Sequence, residues 1–132
     1  MKKVKLFDNI HNYLSDMEEI LPEEELFLKS KVHQYSISML MMNLINACVD
    51  LGTELINLKQ LGYPGSYRDV FQILQKNKMI SSSLAKKMKD LVGLRNILAH
   101  EYGEIDLEIL HEQASNLDFI EDFTKEIVKY FD

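Results

Sequence analysis

Apolar residues recur at three- and four-residue steps along almost the whole chain. Leu6, Ile10, Tyr13, Leu14, Met17 and Leu21 lay one stripe along a first α-helix, and Pro22 ends it. Glu23, Glu24 and Glu25 follow at the start of a second helix, where acidic side chains favour the positive end of the helix dipole. From Glu24 to about Leu61 only Gly52 interrupts, which predicts one long helix. Its middle, Met39 to Leu51, is apolar around more than one face, as in a helix at the centre of a bundle or one shared with a second subunit. Gly62-Tyr63-Pro64-Gly65-Ser66 is a turn, and Ser66 with Asp69 predicts the start of a short third helix, Tyr67 to about Lys76. Ser81 to Ser83 cap a fourth helix, Gly103 stops it, and Asp106 caps a last helix that runs through Leu110, Leu117, Phe123 and Ile127 to Tyr130. No strand alternation competes with these stripes. The expected fold is all-α, a bundle of four to five helices in one domain spanning 1–132.

Composition narrows the picture. With 46% hydrophobic residues and two prolines in 132 residues, the chain can bury one sizeable core. The single cysteine, Cys48, has no internal partner, so the expected setting is reduced and cytoplasmic. Polar Asp8, Asn9, His11 and Asn12 break the apolar run a signal peptide needs, and Asn43, Asn46 and Asp50 break the one a membrane span needs. A net charge of −6 argues against a general nucleic-acid coat protein. The charge is uneven, however: between Lys76 and His100 six cations face Asp90 alone, a local +5 that leaves −11 on the rest. Such a segment suits an anionic substrate held at one place, or else is the solvated face of a helix.

That basic segment leads into Leu94-Arg95-Asn96-Ile97-Leu98-Ala99-His100-Glu101-Tyr102. Arg95 is a permanent cation, and His100 carries the one side chain that ordinarily titrates near neutrality. At about 100° per residue, Arg95, Ala99 and Tyr102 fall on one helical face and Asn96 and His100 on the next. Arg95 and His100 are then about 140° apart, so one phosphate meets both only if the helix end deforms or a second subunit supplies half the site. The alternative is that Arg95 pairs with an acidic neighbour and His100 merely favours a helix C-terminus. No metal site is expected, because His11, His33 and His111 lack ligand spacing and His111-Glu112 lacks the second histidine of a zinc helix.

The Arg95, His100 and Tyr102 element, with Gly93-Leu94 before it and the Tyr63-to-Phe71 segment upstream, resembles the HEPN superfamily and within it the HepT toxins of toxin–antitoxin pairs. The likeness runs over almost the whole chain. It implies an HEPN-type homodimer that cuts RNA without a metal or other cofactor at an Arg-x4-His site shared between subunits. His100 would move the proton of a 2′-hydroxyl or of the leaving oxygen, and Arg95 would hold the phosphorane charge, leaving a 2′,3′-cyclic phosphate and a 5′-hydroxyl. It also implies a partner, a minimal nucleotidyltransferase (MNT) antitoxin that transfers AMP to the tyrosine matched by Tyr102. Asn96, Lys86 and Lys89 are candidates for binding phosphate or RNA. Two other readings stand beside it: a non-catalytic substrate-binding or adaptor subunit for a nucleotidyltransferase, and a plain dimeric scaffold.

Overall fold

A computed structural model of the chain describes residues 2–132. Its α-helices are α1 (Lys2–Ile20), α2 (Glu24–Lys29), α3 (Lys31–Lys59), α4 (Tyr67–Lys76), α5 (Ser82–His100), α6 (Leu107–Ala114) and α7 (Asp118–Val128). Short 3₁₀ turns follow α5 at Tyr102–Glu104 and α7 at Lys129–Phe131, and no strand forms among the described residues.

The all-α bundle is as expected, but two of the five predicted helices are each broken in two. The first break falls at Ser30, whose backbone is extended and whose hydroxyl accepts from the His33 amide, so it caps α3 and separates it from α2. The second falls after Ala114. Ser115 Oγ donates to the His111 carbonyl and Asn116 Nδ2 to the Glu112 carbonyl, each at 2.7 Å. The Ser115 amide donates to the same two carbonyls, at 3.0 and 3.2 Å, so side chains and backbone together close the last turn of α6, and α7 restarts with Asp118 and Glu121 in its first turn.

One hydrophobic cluster receives side chains from every α-helix, with α3 at its centre. Phe27, Phe71 and Phe123 are wholly buried in it, and the rings of Phe71 and Phe123 meet edge to face at 5.6 Å. α3 is long and apolar enough to cross a membrane by length and composition, but 61% of its most apolar window is inside the bundle. The helix runs close to α4 because Gly52 has no side chain: a Cβ there would stand 2.6 Å from Val70 Cγ1. α3 also keeps one exposed apolar row, with Val32 at 75%, Tyr35 at 61% and Met39 at 57% accessibility. Tyr35 of this row meets Tyr102, two residues beyond the end of α5.

Candidate active site

The site gathers three elements around the C-terminal half of α5. Arg95 leaves that helix half-buried, its Nε donating to Asn46 Oδ1 of α3 at 3.1 Å and its Nη1 to Asn96 Oδ1 at 3.4 Å. Its guanidinium carbon stands 5.0 Å over the ring of Tyr67, the first residue of α4. All these partners are neutral. The ion pairs among the described residues are Lys2–Glu54, Lys29–Glu25 and Lys86–Asp90, so Arg95 has no carboxylate. The alternative that it serves an intramolecular salt bridge is thereby removed, and its positive charge stays uncompensated at the surface.

His100 is the last residue of α5 and is exposed. The helix is regular up to it, with Glu101 N donating to the Ile97 carbonyl at 2.8 Å, so the helix end does not deform to swing the imidazole toward Arg95. Lys89, Gly93, Asn96 and His100 follow one another at four-, three- and four-residue steps and form a single row along α5. Asn96 is therefore the bridge between the two candidates, next to His100 on its row and bonded to Arg95. Lys89 belongs to this row, and its ammonium donates to Gln72 of α4. Lys86, three residues before Lys89, continues the row toward the start of α5 and is tied to Asp90 at 3.1 Å.

Tyr102 departs from the sequence expectation. α5 stops at His100, and Tyr102 sits in the 3₁₀ turn beyond, so it does not share a helical face with Arg95. Gly103 is not the stop either: it lies within that turn, without the left-handed backbone of a helix-ending glycine. The Tyr102 ring is stacked on Tyr35 of α3, centroids 5.5 Å apart and planes inclined by 23°, and its hydroxyl is 3.5 Å from Ser38 Oγ. Ser38 and Asn46 are eight residues apart on α3, about 12 Å along its axis, which sets the separation of Tyr102 from the Arg95 anchor.

The other histidines have structural surroundings. His33 Nδ1 is 2.7 Å from Ser30 Oγ at the α2–α3 break. His111 Nε2 is 2.8 Å from the Pro22 carbonyl, with its ring against Phe27. His11 is exposed on α1. Cys48 is fully buried, and burial pushes its thiol far above the ordinary range. The sequence assigns Asn46 and Tyr67 no part in the site. Asn46 sits among apolar residues of the most hydrophobic helix, and that intrusion is the one signal that marks it.

The profile of the Ribonuclease HepT-like family matches residues 10–127, and the chain belongs to that family. It is 30% identical over 115 residues to the mRNA nuclease HepT of Shewanella oneidensis, covering 86% of each chain. It also superposes on the tri-AMPylated Shewanella oneidensis HEPN toxin in complex with MNT antitoxin, with a TM-score of 0.90, 28% identity and 96% of both chains covered. A more distant likeness is the cytosolic protein of unknown function YutE from Bacillus subtilis, with a TM-score of 0.74, 25% identity, and 94% of this chain and 89% of that one covered.

Proposed function

We propose that the protein is the ribonuclease toxin of a toxin–antitoxin pair, acting without a metal as a homodimer and silenced by AMP transfer to Tyr102 from an MNT-type nucleotidyltransferase. The observation that carries this reading is the state of Arg95: a guanidinium fixed by two asparagines and a tyrosine ring, with no acid to neutralise it. A cation held by neutral partners is preorganised for an anion that arrives from outside. His100, exposed on the adjoining row, supplies the acid/base group. In the reaction the imidazole removes the proton of the 2′-hydroxyl, and the freed oxygen attacks the neighbouring phosphorus. The bond from phosphorus to the 5′-oxygen breaks, and that oxygen takes a proton. Arg95 binds the non-bridging oxygens as their charge grows.

With α5 regular through His100, a second copy is the simplest source of the missing half-site. The exposed Val32, Tyr35 and Met39 row beside the helix end offers an apolar surface for that copy. An adenylate on Tyr102, on the same side of the bundle as the Asn46 anchor, would add negative charge and bulk near the position a substrate phosphate must enter.

The test is cleavage of RNA by the purified chain in the presence of a chelator, with the product ends analysed. Products ending in 2′,3′-cyclic phosphate and 5′-hydroxyl are expected, with losses of about 10² or more for Arg95→Ala and for His100→Ala. Unchanged cleavage by both variants overturns the assignment of the site.

A further inference from the structure

We infer that Arg68, at the start of α4, forms with Gly93 and Lys89 a second phosphate-binding position, which holds the RNA strand beside the reacting linkage. The inference rests on the ribonuclease reading and adds to it a residue that lies outside the Arg-x4-His element.

Arg68 is exposed at the surface but its guanidinium is not free to wander. Its Nε donates to the Lys89 carbonyl of α5 at 3.4 Å, and its head lies on Gly93. A Cβ added to Gly93 would come within 2.7 Å of Arg68 Nη2, so the guanidinium occupies the space that an alanine methyl would take and would have to shift to admit one. Gly93 belongs to the row Lys89, Gly93, Asn96 and His100. The glycine thus takes no side chain of its own into that row and receives instead the cation of a neighbouring helix. The row then reads, along α5, as a lysine, a guanidinium, an asparagine bonded to Arg95, and the histidine.

No acidic partner accounts for this placement. Arg68 is in none of the ion pairs among the described residues, and the carboxylate of neighbouring Asp69 accepts from the Gly65 amide at 2.8 Å. An arginine bonded to a carbonyl through one nitrogen keeps its remaining donors for a planar acceptor, and phosphate fits that fork. Gly93 is seven residues before His100, about 10 Å along the axis. That separation sets the Arg68 position one or two nucleotides away from the reacting linkage, so Arg68 binds substrate without touching the reacting atoms.

The experiment uses the full-length His100→Ala protein, in which cleavage is slowed about 10²-fold or more, titrated with a short fluorescein-labelled single-stranded RNA at several salt concentrations. Adding Arg68→Gln is expected to weaken binding about 3- to 10-fold and to reduce the slope of log affinity against log salt by about 0.7, the loss of one phosphate contact. Gly93→Ala, which displaces the guanidinium but keeps its charge, is expected to weaken binding in the same direction; it decides the question if Arg68→Gln lowers the melting temperature. In the active enzyme Arg68→Gln should raise KM and leave kcat within about two-fold, because the residue contributes equally to bound substrate and transition state. Unchanged affinity and salt slope in both variants overturn the inference and leave the ribonuclease reading intact. A parent protein that neither binds nor cuts RNA overturns both.

Discussion

Arg95 owes its availability to Asn46, a neutral acceptor 3.1 Å from its Nε. Had position 46 been aspartate, the same geometry would make a half-buried ion pair and quench the charge. Asn46→Asp is therefore expected to cut RNA cleavage about as severely as Arg95→Ala, by roughly 10² or more, while leaving the melting temperature unchanged or raised. Asn46→Ala, which frees the side chain without neutralising it, should cost only about ten-fold. If Asn46→Asp cleaves RNA at the parent rate, the charge of Arg95 is not used. Tyr102 makes a second residue-scale case. Its ring is held by Tyr35 and its hydroxyl approaches Ser38, so Tyr102→Phe should fold normally, cleave RNA, and gain no mass when incubated with ATP and the cognate nucleotidyltransferase. A mass increase in AMP units on that variant would move the modification to another residue.

The helices owe their lengths and their spacing to single residues. Gly52 permits the approach of α3 to α4, and Val70 opposite it is itself buried and cannot swing away. Gly52→Ala should destabilise the fold by about 1 to 3 kcal/mol, read from the urea midpoint, and it should disturb the Tyr67 end of α4 less than the core. Cys48, in the same helix, stays a neutral thiol in the folded protein because burial raises its pKa. The unfolded thiol ionises above about pH 8.5, so this residue's contribution to stability is complete below that value and is lost as the pH rises further. Cys48→Ala should accordingly flatten the decline of the urea midpoint between about pH 8 and 10; an identical slope in both proteins would contradict the buried thiol. At this scale the sequence was readable wherever a cap coincided with a stripe, as at Ser66, Ser81 and Asp106, whose side chains each accept from amides of the following turn. Ser30, Ser115 and Asn116 were passed over because the apolar stripe continues through both breaks. Periodicity records which side of a helix is wet and is blind to a change in axis direction.

For the whole molecule, the separation of Arg95 and His100 around a regular α5 becomes a prediction about two chains. If Arg95 of one subunit works with His100 of the other, mixing the two inactive proteins Arg95→Ala and His100→Ala under exchange conditions restores one intact site per heterodimer. About a quarter of the parent activity should return after random exchange. No recovery, in a mixture shown to contain heterodimers, would confine the site to single subunits. Expectation and structure agree on the bundle, on α5 as carrier of Arg95, Asn96 and His100, and on the family to which the chain belongs. They part at Tyr102, where the assumed helix has already ended.

The sequence by itself determined the helical class, the apolar faces that close the core and the residue types available for chemistry, because spacing along a helix is a local property that the backbone's 3.6-residue turn converts directly into a face. It did not determine which side chains from other helices meet those residues. Asn46 beneath Arg95, Tyr35 against Tyr102, and Arg68 laid over Gly93 join positions 49, 67 and 25 residues apart in the chain. Such encounters depend on how helices cross, which is decided only when the whole core packs at once.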